Sequence, residues 1–417
     1  MQEAAFPGIL RGMNGRRVIV LASPRTLYRV VAPLRPGATL AGARFEGLCW
    51  DDRARAWRLV FVPPGGEPVG LLLERRGARA RYAEVTRRFG LHYRQGPGAD
   101  VLGRLAEAVA RTIRRNEAAW GDGAFVVFGD LLEARLTLAC NEDCAMCNSA
   151  DGADNVVADL DRFVARLPGL PGQGVRVLTL TGGEPTLVPR LPEIATAARA
   201  AGLATVVVQT NALRFAEPGY VDAFTGPARP DYLLVSFHSH RPPVHEAIVG
   251  RAGTFERAVA GVRALLDAGH AVELNHVLQA ANAADVEDFV QAVAGPLFGG
   301  RVGLSFSVIV PTGRQAGRGD EIPRLSELAP RLDRAVRAAL AAGMPVHLSE
   351  MCGLPRCLRA GDLDGLIPPQ ADLADDRVKE KLPACARCVH ATTCSGVWRE
   401  YAAAHGVDEF VPVEDRR

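Results

Sequence analysis

Apolar and polar positions alternate along this chain in two textures, and the change between them falls near residue 125. Before it, short half-apolar runs read as strands over 43–50, 56–62 and 68–75, joined by the Asp51-Asp52 and Pro63-Pro64-Gly65-Gly66 turns. Consecutive strands with tight turns predict an antiparallel meander. Two helices are expected next, over 80–89 and 99–120, the second with Leu102, Leu105, Val109 and Ile113 near helical spacing. Residues 1–125 are thus expected to form an α+β accessory domain, bounded by the loop around 121–129.

From there the pattern turns regular. Strands are predicted over 132–139, 175–181, 204–210, 232–238, 272–278 and 302–310, with helices over 159–167, 190–201, 217–224, 254–268 and 284–294 between them. Such alternation predicts right-handed crossovers and a parallel sheet. Active sites of parallel α/β folds lie at the carboxyl ends of the strands. Here those ends carry a cysteine loop, then Thr181-Gly182-Gly183-Glu184-Pro185, Gln209-Thr210-Asn211 and Ser236-Phe237-His238-Ser239-His240. The fifth strand brings Asn275 and His276, and the sixth runs into Pro311-Thr312-Gly313. All six place their polar residues at one mouth.

Composition narrows the class. The chain has 417 residues, 48% of them hydrophobic, enough for about two or three domains with real cores. No apolar run is long enough to span a bilayer and residues 1–17 lack the pattern of a signal peptide, so a cytoplasmic protein without membrane contact is expected. The net charge of +2 favours neither nucleic acid nor an anionic surface. Of nine Cys, eight fall in two clusters, which suits metal binding in a reducing compartment better than a disulfide framework; Cys49 stands apart and reads as a core residue.

Cys140, Cys144 and Cys147 form a C-x3-C-x2-C triplet directly after the first predicted strand of the regular region. Iron–sulfur clusters are normally held by four thiolates, so three would leave one iron of a cubane open to another ligand. A zinc knuckle is the alternative, but residues 131–152 supply no fourth Cys or His to complete a tetrahedron. Gly182 and Gly183 lack a Cβ and would let the backbone approach a ligand closely, while Glu184 offers a carboxylate for an ammonium group.

The triplet, followed by Gly182-Gly183-Glu184-Pro185 one βα unit later, resembles the radical S-adenosylmethionine (SAM) superfamily. The resemblance implies a partial (βα)6 TIM-like barrel over 129–320. It also implies a [4Fe-4S] cluster on Cys140, Cys144 and Cys147 that binds SAM at its open iron and cleaves it reductively to a 5'-deoxyadenosyl radical. Gly182, Gly183, Glu184 and Pro185 then correspond to the segment that contacts the amino group of SAM. Asn211 matches the family's Thr-Asn-Gly strand end, with Ala212 in place of the glycine. Ser236 corresponds to a serine that helps hold the ribose and carboxylate of SAM. His238 stands where many members carry an Asp, which leaves the ribose contact open, and is either a substrate-facing group or a structural histidine. Met146 occupies the position of an aromatic residue that packs on the adenine. The stretch from His245 to Phe255 resembles the molybdenum-cofactor cyclase and peptide-maturase branches.

A second set, Cys352, Cys357, Cys385, Cys388 and Cys394, lies in a Cys-rich extension over 321–417. Its C-x2-C-x5-C run resembles the start of SPASM and twitch extensions, which carry auxiliary [4Fe-4S] clusters. A full SPASM extension has a further Cys where Trp398 stands, so one auxiliary cluster is expected, on Cys357, Cys385, Cys388 and Cys394, with Cys352 an alternative ligand or a substrate-side thiol. Structural zinc is the alternative. The resemblance implies a peptide or protein substrate and a flavodoxin- or ferredoxin-type reductant. A small-molecule substrate in cofactor biosynthesis is the second reading, and a non-catalytic iron–sulfur or zinc scaffold the third.

Overall fold

The computed structural model describes residues 10–11, 17–18, 39–51, 56–75, 83–84, 89–92, 104–109, 125–128, 131–147, 159–173, 175–311, 313–348, 354–359, 379–390, 394 and 396–414. The chain divides into two compact units. The first comprises residues 1–122 and 126–129, and the second residues 123–125 and 130–417.

In the first unit the meander forms as expected. Ala43–Asp51 pairs antiparallel with Ala56–Val62, which pairs with Val69–Arg75. Phe45, Leu59, Phe61 and Leu71 are fully buried on one face, as period-2 alternation demands. Of the helix expected over 80–89, residues 83–84 and 89 are strand instead, and the rest lies outside the described residues. Phe89–His92 instead adds a fourth antiparallel strand, with Leu72 opposite His92, and Ala83–Glu84 pairs with it in turn. Unpaired backbone groups at the sheet edge offered this segment hydrogen bonds that its few apolar positions could not match as a helical stripe. Helix is present over 104–109, where Leu105 and Val109 are buried; the rest of the helix expected over 99–120 lies outside the described residues.

The second unit is built on seven parallel strands: β1 (Leu131–Arg135), β2 (Val177–Thr181), β3 (Thr205–Thr210), β4 (Tyr232–Ser236), β5 (Val272–Leu278), β6 (Gly303–Val308) and β7 (Val346–Leu348). They pair in sequence order and β7 does not pair back onto β1, so the barrel is open. Helices α1 (Leu160–Arg166), α2 (Leu191–Ala200), α3 (Pro242–Val249), α4 (Thr254–Asp267), α5 (Val286–Ala292) and α6 (Leu325–Ala341) provide the crossovers. The sequence pattern gave six strands. The seventh was missed because Val346–Leu348 is only three residues long, too short to show alternation. The helix expected over 217–224 is broken into 3₁₀ turns, Leu213–Ala216 and Tyr220–Phe224, around Pro218 and a left-handed Gly219 (φ 77°).

Strand faces are sorted by burial. On β4, Leu233 and Val235 are buried against the helices while Tyr232, Leu234 and Ser236 face the partly open side. On β5, Leu274 and His276 are buried and Glu273, Asn275 and Val277 are less so. Beyond the sheet, β8 (Lys379–Glu380) and β9 (Val397–Trp398) pair antiparallel and lead into α7 (Arg399–His405). Among the described residues no helix is long and apolar enough to cross a membrane.

Candidate active site

The cysteine loop leaves the carboxyl end of β1 and is shaped by neighbours more than by itself. Within it, the Cys147 N–H donates to the Cys144 carbonyl (3.1 Å), and the Glu142 N–H points at the Cys140 sulfur (3.4 Å). The Asp143 and Ala145 N–H groups donate to Val249 and Ile248 at the end of α3 (2.9 and 3.1 Å). There Gly250 is indispensable, since a Cβ on it would lie 2.3 Å from the Asp143 carbonyl. Burial, followed by the nearby Glu184 and Glu142 carboxylates, pushes the Cys140 thiol up to about 11. Burial, then Glu142 and Cys140, push Cys144 higher still. Desolvation also raises Glu142, to about 7. Cys140 and Cys144, which resist ionisation alone, stand with Cys147 in one loop, and the three thiols form a donor set suited to a cationic iron centre, whose charge would reverse that balance.

The turn after β2 packs directly on this loop. The Gly183 N–H donates to Thr137 O (2.7 Å) and the Glu184 N–H to Ala139 O (2.8 Å). A Cβ on Gly182 would come 2.3 Å from Thr137 O, and one on Gly183 would come 2.3 Å from Ala139 O. The sequence suggested that these glycines admit a ligand. The structure shows the approach being made by the protein's own backbone at the root of the cysteine loop.

Glu184, which is 1% exposed, ties three segments together. Its Oε1 accepts the Thr186 N–H (3.0 Å), the Thr186 hydroxyl (2.5 Å) and the Thr210 hydroxyl (2.7 Å), and its Oε2 accepts the Asn211 N–H (2.8 Å). Burial raises its pKa and these hydrogen bonds oppose the rise. Asn211 extends the network, its Nδ2 donating to Asn141 Oδ1 in the cysteine loop (2.7 Å) and its Oδ1 accepting from the Leu213 N–H (3.2 Å). Ala212 adopts a left-handed backbone (φ 62°), a conformation that costs a non-glycine residue about 1–2 kcal/mol. Helix α4 presses on that turn, since a Cβ on Gly261 would lie 2.1 Å from Ala212 O.

Ser236 ends β4 opposite Asn275 on the partly open face. His238 is 1% exposed; its Nδ1 accepts the Val277 N–H (3.3 Å), and Asn282 donates to its carbonyl (2.8 Å). Burial, then His245 and His276, hold its pKa well below the usual range. His276 faces the helices, its Nδ1 bonded to the Phe237 carbonyl (3.1 Å) and its ring 3.9 Å from Phe289, so it is a core residue as expected. Met146 receives the Gln279 amide at its sulfur (3.5 Å). Four contributors went unrecognised in the sequence: Asn141, Gln279, Arg314 and Gln315. Arg314 pairs with Asp143 and donates to Cys144 O (3.2 Å), while Gln315 donates to Ala145 O (2.6 Å). Their only sequence signal was position at a strand's carboxyl end.

Residues 135–293 match the family model of the Radical SAM superfamily. This part of the chain belongs to that superfamily. A "Probable GTP 3',8-cyclase" of Sulfolobus acidocaldarius is 31% identical over 171 residues, 39% of this chain and 53% of that protein. An "AdoMet-dependent heme synthase" of Methanosarcina barkeri is 30% identical over 198 residues, 47% of this chain and 54% of that protein. The chain thus spans about half the length of these curated relatives. Among solved structures, Streptococcus suis SuiB bound to S-adenosylmethionine aligns with a TM-score of 0.45 and 15% identity, covering 74% of this chain and 81% of that one.

Outside the radical SAM segment, a second group of thiols comes together. Cys357, Cys385, Cys388 and Cys394 line one cleft with His390 and Phe410, about 390 Å³ counting the solvent at its mouth. Burial, then Cys394, Cys385 and Cys388, push the Cys357 thiol up to about 11. The Gly396 N–H points at the Cys394 sulfur (3.4 Å), repeating the arrangement at Cys140. Among the described residues no three His, Cys, Asp or Glu side chains meet closely enough for one metal ion; these four ring a space instead. Cys352 lies outside the described residues.

Proposed function

We propose that this protein is a radical SAM enzyme that reductively cleaves S-adenosylmethionine and uses the resulting 5'-deoxyadenosyl radical on an organic substrate. The observation that carries this reading is the network through Glu184 and Asn211, which fastens the cysteine loop, the turn after β2 and the end of β3 into one surface. Cys140, Cys144 and Cys147 would hold a [4Fe-4S] cluster, which when bound supplies an electron to SAM at its open iron. Glu184 Oε2 accepts one hydrogen bond from the protein and retains a lone pair for the ammonium group of SAM. Gly182, Gly183 and Pro185 shape that turn, Met146 and Ser236 would contact SAM beside it, and His238 supports the end of β4 through the backbone of β5.

Cys357, Cys385, Cys388 and Cys394 would hold one auxiliary cluster. Thiols ringing a cleft suit a cubane, whereas a single zinc needs four donors converging within about 2.3 Å of one point. With that extension we assign the protein to peptide or protein modification, with a flavodoxin- or ferredoxin-type reductant. The names of the curated relatives, a GTP cyclase and a heme synthase, support a small-molecule substrate as the second reading.

Anaerobic reconstitution, reduction and addition of SAM should yield 5'-deoxyadenosine, and changing all three of Cys140, Cys144 and Cys147 to Ala should abolish it. Cleavage retained by the triple variant would overturn the assignment. Offering the loaded enzyme peptides encoded beside its gene, and separately purine nucleotides and tetrapyrroles, then reading substrate mass shifts, decides between the two substrate classes.

A further inference from the structure

A short strap after β6 touches the cysteine loop at one end and helix α7 of the C-terminal extension at the other. The Arg314 N–H donates to Cys147 O (3.2 Å), and its guanidinium donates to Cys144 O (3.2 Å) and pairs with the Asp143 carboxylate. Gln315, which is 2% exposed, donates to Ala145 O (2.6 Å). The strap therefore binds carbonyls or side chains of Asp143, Cys144, Ala145 and Cys147. Its other end is held by α7. The Gly317 N–H donates to Glu400 Oε2 (2.8 Å), and a Cβ on Gly319 would lie 2.2 Å from Glu400 O, so strap and helix meet backbone to backbone. Helix α7 follows directly on Trp398, and Gly396, two residues before it, donates to the Cys394 sulfur.

We propose that the strap over 314–319 is a bracket through which α7 positions the 140–147 loop, with Arg314 and Glu400 as positioning residues. The loop has little regular structure of its own, so its conformation is set by what grips it. A planar guanidinium that reaches a carboxylate and a carbonyl together fixes orientation as well as distance. The bracket joins the segment carrying Cys144 and Cys147 to helix α7, which follows Cys394 a few residues later in the chain. It deepens the proposed function, resting on that reading for what the loop holds. The contacts themselves belong to the chain whether or not iron is bound.

Hydrogen exchange on the full-length, iron-free chain tests it directly. Arg314→Ala should accelerate exchange of the Asp143, Ala145 and Cys147 amides by at least about tenfold, the effect of one charge-assisted hydrogen bond. Glu400→Ala should accelerate the same amides, although Glu400 touches none of them, and the double variant should fall short of the product of the two single effects. Arg314→Lys, which keeps the charge but replaces the planar guanidinium with a point-like ammonium, should restore part of the protection. Faster exchange confined to 317–319 and α7 in Glu400→Ala, or independent effects in the double variant, would overturn the bracket. If Glu400→Ala does not fold, Gly319→Ala disturbs the adjoining strap–helix contact, at the Glu400 carbonyl, by sterics alone and must give the same pattern in the loop. In the reconstituted protein, Glu400→Ala should also alter the paramagnetic resonance of the reduced cluster at the loop. Failure of the wild-type chain to load iron there would sink the proposed function and leave the exchange result readable. Normal loading with exchange unmoved by Glu400→Ala would sink the bracket alone.

Discussion

The Glu184 carboxylate accepts the Thr210 hydroxyl at 2.7 Å, joining the turn after β2 to the end of β3. Because Asn211, the next residue, reaches Asn141, that one contact sets where the cysteine loop stands relative to two strands. Glu184 is therefore a fastener in the chain before it meets any ligand.

Glu184→Gln should accordingly do harm without SAM. An amide has one acceptor oxygen, so its N–H₂ would face either the Asn211 N–H or the donors now shared by Oε1. A buried donor left facing a donor costs about 1–3 kcal/mol. Denaturant unfolding of the SAM-free chain should show that loss, and SAM affinity should fall as well. Unchanged stability with weakened SAM binding would reduce Glu184 to a ligand contact.

Gly183→Ala should be severe for its size. The added methyl would lie 2.3 Å from the Ala139 carbonyl, immediately before Cys140. Overpacking of a tight contact costs about 1–3 kcal/mol, and here the yielding group is backbone. Reduced thermal stability together with poor iron retention at Cys140, Cys144 and Cys147 is expected. A variant that loads iron normally would show that the turn has slack.

Iron stoichiometry separates two clusters from one. Reconstituted wild-type chain should hold about eight irons, and the Cys140, Cys144, Cys147 triple variant about four, by the four-iron content of a cubane. Replacing Cys385 and Cys388 should remove the second set and stop product formation while SAM cleavage continues. About four irons plus one tightly held zinc in the wild type would refute the auxiliary cluster.

The buried histidines make a pH prediction. Burial holds His276 down to about 3 and His245 down to about 4, while in the unfolded chain both titrate near the ordinary value of 6.5. Between those values the unfolded chain binds more protons, so their contribution to stability is complete above about pH 6.5 and is lost as pH falls toward 3–4. Glu142, raised to about 7, acts in the opposite sense, so the effect must be read as a difference. His276→Asn can keep the donor to Phe237 O but cannot titrate. Its unfolding free energy should fall less steeply with acid than that of the wild type, by up to about 1.4 kcal/mol per pH unit. Parallel curves for the two proteins would contradict a neutral, buried His276.

The sequence by itself determined the six strands β1 to β6, most of the helices between them, and the gathering of polar residues at the strands' carboxyl ends, but not α3 or the 3₁₀ turns between β3 and β4. What it determined follows from local periodicity and from the geometry common to all parallel α/β sheets. It also determined the two cysteine groups, because ligand spacing is a property of the chain. It could not determine β7, whose three residues carry too little pattern, nor the edge strand Phe89–His92, which exists because a neighbouring strand offered it hydrogen bonds. Nor could it show that Gly182 and Gly183 yield to Thr137 and Ala139, or that Arg314 grips a loop 170 residues earlier in the chain. Those roles depend on contacts between segments far apart in sequence, and tertiary packing alone decides which backbone comes within reach of which side chain.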